Sequence, residues 1–263
     1  QIDSIRDLKE EVFGPILHVV RYKADDLDQV IADINATGFG LTFGIHTRID
    51  DRVTEVTNKV NVGNIYVNRN QIGAVVGSQP FGGEGLSGTG PKAGGPDYVK
   101  RFTDPGRVAL NGDLAAASQE SAQKTLDDID VPTTALTATA LPGPTGESNM
   151  LSVYGRGKVL CLGPGQAAAD DQANIARAAG CAAAILPDGI TPDALTALTG
   201  LDAVVSYADE ETLKSYRAAL AARDGKLIPL FAEKDLNERC RLERHICIDT
   251  TAAGGNASLL ASV

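Results

Sequence analysis

An α/β architecture in two successive units is expected from this sequence of 263 residues. Near the N-terminus, apolar runs alternate with helical spacings in the order βαβαβ, the signature of a layered, mainly parallel sheet. The same alternation returns from residue 158 onward without evident sequence identity, as in a small doubly wound, Rossmann-like fold of three layers. Charge also shifts between the two: residues 1–107 hold 14 acids and 12 bases, and residues 108–263 hold 20 acids and 12 bases.

Taken in order, Ile16 to Tyr22 is apolar and β-branched and is expected to form a strand. Asp26 to Ala36 places Leu27, Val30, Ile31 and Ile34 at helical spacing, and Gly38 terminates it. Leu41 to His46 is then a strand, Asp50 to Lys59 a helix and Val62 to Asn68 a strand. Asn111 to Met150 is rich in Ala, Ser, Thr, Asp and Pro and shows no strand alternation, so 108–150 is expected to be a linker with one short helix near Ala115 to Leu126. Strands follow at Lys158 to Leu162, Ala182 to Leu186, Ala203 to Tyr207 and Leu227 to Phe231. Helices separate them at Gln166 to Ala179, Pro192 to Thr199 and Glu210 to Arg223. Leu242 to Asp249 is a further candidate strand.

Composition excludes several classes of function. With 34 acidic and 24 basic residues the net charge is −10, and without clustered Lys and Arg a nucleic-acid partner is not expected. No apolar stretch is long enough to cross a bilayer. Cys161, Cys181, Cys240 and Cys247 show no C-x-x-C and no His at ligand spacing, so they are expected to be reduced and structural, and no metal site is expected. Isolated His18, His46 and His245 are expected to be structural too. The first residue is Gln1, with no Met before it, which suggests a chain taken from a longer one.

The most informative segment is Ile72 to Pro96, in which nine of 25 residues are Gly. Such density suits backbone that turns sharply or approaches a ligand closely. A flexible linker would be Ser-rich and would lack the apolar Ile72, Val75, Val76, Phe81 and Leu86. Glu11-Val-Phe-Gly-Pro15, then Val62-Gly-Asn-Ile-Tyr-Val-Asn68, then Pro80-Phe-Gly-Gly83 with Leu86-Ser-Gly-Thr-Gly90, together resemble the C-terminal part of an aldehyde dehydrogenase catalytic domain. The wording of the loop, Gly73 to Gly77 and Gly88 to Pro96, is most similar to the L-glutamate γ-semialdehyde dehydrogenase of PutA, the family of bifunctional proline-catabolic flavoenzymes. Leu141 to Asn149, Arg156 to Leu162, Ala221 to Gly225 and Thr250 to Leu259 resemble the extra C-terminal domain of the longer PutA proteins.

This resemblance implies three regions: residues 1–107 as the C-terminal part of the catalytic domain, 108–150 as a linker, and 151–263 as a non-catalytic Rossmann-like domain that covers an internal tunnel and ends in a docking tail, Thr250 to Val263. Glu11 would bind the hydroxyls of the nicotinamide ribose of NAD, with Phe13 packing beside the nicotinamide. Gly73 and Ala74 would present N–H groups to the α-carboxylate of the semialdehyde, and Phe81 would wall its aliphatic part. Against these roles, Glu11 can be read as a solvated acid and Phe13 and Phe81 as ordinary core residues. The family's nucleophilic cysteine and general base precede the E-x-F-G-P motif, so no catalytic residue is assigned in this chain. Cys181, among small apolar neighbours, is expected to have a raised thiol pKa.

Gly163-Pro-Gly165 after a strand, with Asp188 beyond the next, approaches a dinucleotide fingerprint. Pro164, Asp170 and Asp171 argue against one there. The resemblance further implies FAD elsewhere in the parent, upstream domains and further copies of the chain as partners, and a cytoplasmic location with the parent peripheral to the inner membrane. The rival reading is a binding or oligomerisation module without activity.

Overall fold

A computed structural model of the chain describes residues 1–71, 73–110, 112 and 115–251. From residue 252 on, the expected docking tail lies outside the described residues, as does Ile72. The fold is α/β. Its N-terminal elements are α1 (Leu27–Ala36), β1 (Phe39–Gly40), β2 (Thr42–Ile45), α2 (Asp50–Lys59), β3 (Asn64–Val67) and β4 (Glu84–Gly85). Asp50 and Asp51 open α2 and Lys59 closes it, each complementing the helix dipole at its end. Ile16 to Tyr22 is not a strand: among the described residues no strand pairs with it, the Ile2 N–H donates to the Val19 carbonyl at 3.1 Å without forming a ladder, and Ile16, Leu17, Val19 and Tyr22 are exposed.

The span expected as a linker is folded. It carries α3 (Gln119–Asp127), capped by the Ser118 hydroxyl, then β5 (Thr137–Leu141), and it runs into β6 (Glu147–Gly155). The chain continues through β7 (Lys158–Cys161), α4 (Gln166–Ala178), β8 (Ala182–Ile185), α5 (Pro192–Ala197), β9 (Ala203–Val205), α6 (Glu210–Ala221), β10 (Leu230–Phe231) and β11 (Arg241–Asp249).

Besides a two-stranded pairing of β1 with β4, two larger sheets organise these elements. One is wholly parallel, in the order β10-β9-β7-β8, as expected for a small doubly wound unit. The helices α3, α5 and α6 cover one face of it through Leu126, Leu195, Leu198 and Tyr216, while α4 covers the other through Ala173, Ala176 and Ala179.

The second sheet has the order β2-β3-β11-β6-β5 and joins the two ends of the sequence. Here β11 lies parallel to β3 and antiparallel to β6, with His245 opposite both Asn64 and Leu151. The two sequence units therefore share one mixed sheet. Its two faces differ because side chains alternate along each strand. Ile65, Val67, Ile246 and Ile248 pack with Ile31 of α1 and Val56 of α2 in an apolar core. Asn64, Tyr66, Glu243, His245 and Cys247 occupy the intervening, buried positions. That polar face is the floor beneath the glycine-rich segment.

Candidate functional site

At the end of β3 the chain lifts off the sheet at Asn68, which holds a φ of 58°. Asn68 fixes this turn by donating its N–H to the Ile45 carbonyl (2.8 Å) while its Oδ1 accepts from the Thr47 N–H (2.9 Å). The first limb of the glycine-rich segment then closes on itself. The N–H groups of Ser78 and Gln79 donate to the Val75 carbonyl at 3.2 and 2.9 Å, and Gln79 Oε1 accepts from the Val75 N–H at 3.1 Å. At the tip, Val76 is 98% exposed. Gly73, with φ +72°, is exposed, and a Cβ added there would meet nothing within 4 Å. Its backbone thus faces open space in a conformation that favours glycine.

The second limb is tied to the floor. Phe81 and Ala93 exchange two backbone hydrogen bonds of 2.9 and 2.8 Å. Lys92 is 2% exposed, and its Nζ donates to Asn64 Oδ1 at 2.8 Å and to the Gly82 carbonyl. Its N–H donates to Glu243 Oε2 at 2.7 Å. Burial pushes the Lys92 ammonium down to about 8 and raises the Glu243 carboxyl. The His245 ring, wholly buried, is pushed down to about 4 by burial first and by nearby Lys92 second. Gly63 explains part of the Val62 to Asn68 motif: a Cβ there would lie 2.0 Å from the Gly82 carbonyl oxygen.

Of the five residues singled out in the sequence, Gly73, Ala74 and Phe81 share this segment. Glu11 and Phe13 lie on an exposed extended stretch, and Phe13 is 89% exposed. Among the described residues no hydrogen bond, ion pair or ring contact joins those two to the loop. Sequence reasoning assigned no role to Gln79, Lys92 or Glu147, and took His245 and Cys247 as merely structural. The alternation of Glu243, His245 and Cys247 with Ile246 and Ile248 was the available signal for a polar floor.

The cysteines need two corrections. Position along the chain does not separate Cys247 from the loop, because β11 brings its Sγ within 3.4 Å of Gln79 Nε2. The thiol is buried, which raises its pKa, so it serves as an acceptor rather than a nucleophile. Cys181 is lowered, not raised. A hydrogen bond with Cys240 is the main cause, and backbone N–H groups such as that of Arg156, 3.3 Å away, assist. Cys240 is raised correspondingly.

In the Rossmann-like unit, the turn after β7 has its donors engaged internally. The Gly163 N–H bonds Gln172 Oε1 (3.0 Å), and the Gly165 N–H bonds the Pro187 carbonyl (2.9 Å). A pyrophosphate would have to displace both. Among the described residues no cluster of three or more His, Cys, Asp or Glu is placed to hold a metal, and no helix is long and apolar enough to cross a membrane.

Comparison with known proteins gives three results. Residues 3–108 match the aldehyde dehydrogenase family. The bifunctional protein PutA of Escherichia coli is 38% identical over 99% of this chain and 24% of its own length, and that of Rhizobium meliloti is 37% identical over 99% and 25%. The 1-pyrroline-5-carboxylate dehydrogenase of Bacillus cereus (strain B4264) is 46% identical over 37% of this chain and 18% of its own. The chain spans about a quarter of the length of the PutA relatives it matches. The solved structure of PutA from Corynebacterium freiburgense matches 92% of this chain and 26% of its own, with a TM-score of 0.57 at 24% identity, and so shares the fold.

Proposed function

Residues 3–108 belong to the aldehyde dehydrogenase family and the whole chain is homologous to part of PutA, and from that premise we propose that it works within a PutA-type chain. Its part there is the NAD-dependent oxidation of L-glutamate γ-semialdehyde to L-glutamate, the second half of proline catabolism, and upstream domains with FAD would perform the first half.

One observation carries the reading. The first limb of the glycine-rich segment holds the Gly73 backbone open to solvent on a foot closed by Val75, Ser78 and Gln79. Backbone N–H groups left open at such a turn can take an anion and need no cationic side chain. In this reading Gly73 and Ala74 bind the substrate's α-carboxylate and fix the reacting aldehyde at the far end, while Phe81 walls the aliphatic chain. Glu11 and Phe13 hold and orient the nicotinamide end of NAD. NAD held there would supply the acceptor for the hydride that the aldehyde loses as it takes up water and becomes the acid, with one proton released to solvent. Residues 151–251 act as a cover over the route of the intermediate. The cytoplasm is the expected location, and further copies of the chain are expected partners.

Gly73→Val in the PutA-type chain tests this. A β-branched residue is strained at a φ of +72°, so the N–H groups should lose their aim. The expected result is a KM for the semialdehyde raised about tenfold, with proline-dependent flavin reduction unchanged. An unaltered KM would refute the assignment of this loop.

A further inference from the structure

The open limb of the loop is fastened by residues far along the chain. Gln79 is 3% exposed, and its carboxamide works at both ends. Oε1 accepts from the Val75 N–H at 3.1 Å. Nε2 faces Glu147 Oε2 and Cys247 Sγ, each at 3.4 Å. The other Glu147 oxygen accepts from Arg69 Nη1, and the same guanidinium reaches Cys247 Sγ at 3.1 Å and lies 5.5 Å from the centre of the Tyr66 ring. Arg69 stands where the chain leaves β3, and Gln79 stands where the first limb returns to the floor. Both ends of the limb therefore meet one pair of side chains, Glu147 at the start of β6 and Cys247 on β11.

The arrangement is specific in its chemistry. A carboxamide can accept from one backbone N–H through its oxygen while donating to a carboxylate through its nitrogen, at two separate points. Glu147, with one oxygen facing the guanidinium and the other Gln79, fixes the carboxamide's orientation so that its oxygen points at Val75. Hydrogen bonds that involve a charged group are the stronger ones and hold geometry best.

We propose that Gln79, held by the Arg69–Glu147 pair, is the positioning residue that aims the Gly73 and Ala74 N–H groups. Selectivity for an aldehyde carrying an α-carboxylate is thereby set in part from β6 and β11. This inference rests on the reading of the loop given above. None of these side chains touches the reacting atoms.

The test uses the full PutA-type chain and two aldehydes: the semialdehyde, and propanal, which has no α-amino-acid end. Gln79→Leu and Glu147→Ala should each raise KM for the semialdehyde about tenfold. They should leave its kcat, and kcat/KM for propanal, within about twofold. Glu147→Gln keeps the shape and an acceptor for Gln79 but loses the ion pair, and should fold normally with a rise of about threefold. Unchanged KM in all three variants, while Gly73→Val raises it, would overturn the positioning role and leave the loop's function standing. Equal losses on both aldehydes would also overturn it, because that is the mark of a general structural part. A Gly73→Val enzyme with unaltered KM would instead remove the premise.

Discussion

His245 sits at the middle of the polar floor with a pKa held near 4, while a free histidine titrates near 6.5. The folded chain refuses a proton that the unfolded chain accepts, so between pH 6.5 and 4 the unfolded state binds more protons. Stability is therefore expected to fall as pH drops through that window, by as much as about 3 kcal/mol from this group. His245→Gln, followed by urea unfolding at several pH values, should flatten the slope there; an unchanged slope would show that other groups control it. Lys92 presents the opposite case of a buried base that keeps useful partners. Its ammonium joins the Asn64 side chain and the Gly82 carbonyl, and so holds the second limb against β3. Neither role announces itself in the sequence, since His245 stands alone and nothing in the Gly88 to Pro96 wording marks Lys92 as buried. Gly63, by contrast, stood in a legible motif, although only its 2.0 Å approach to Gly82 shows why a side chain is forbidden there.

Among the elements, β11 holds the most consequential place. It pairs on both edges, with β3 and with β6, and its Ile246 and Ile248 join the core under α1 and α2. Ile246→Pro would remove an N–H from this central strand and force its neighbours apart. Hydrogen exchange is expected to report lost protection at Ile65–Val67, about 180 residues away in sequence; protection confined to loss around residue 246 would refute the shared sheet. Sequence periodicity found the elements that bury an apolar face, β11 among them although its partners β3 and β6 lie far along the chain. The α2 bounds, Asp50 to Lys59, match as expected, and every helix and strand from β7 to β10 was legible within a few residues because each βα unit buries its own apolar face. The failures were β5 and β6. Thr137–Leu141 is mostly exposed Ala and Thr, and Glu147–Gly155 mixes Glu, Ser and Asn into its run, because its polar side chains meet a loop rather than a core. Ile16 to Tyr22 failed in the opposite sense, being β-branched and apolar with no strand to pair against.

At the scale of the whole molecule, the candidate site is a joint product. Gly73, Ala74 and Phe81 were singled out from the wording of one segment, whereas the floor beneath that segment joins β3 to β11 from the far end of the chain. Thr89 at the second limb is likewise held by Arg156, whose Nη2 donates to its carbonyl at 2.8 Å. The sheet order β2-β3-β11-β6-β5 has a consequence for synthesis. A ribosome delivers β2 and β3 long before β11, and their sheet has no neighbour on its inner edge until residues 241–249 have left the exit tunnel. Closing that gap carries the entropy of a loop of more than 170 residues, so it is a late event. The nascent chain must therefore wait with the glycine-rich segment unsupported, open to proteases and chaperones. Stalled chains that end before residue 241 should be cleaved readily between residues 73 and 96, and those with residues 241–251 outside the tunnel should resist. Equal resistance of both would mean that the segment finds its shape without β11.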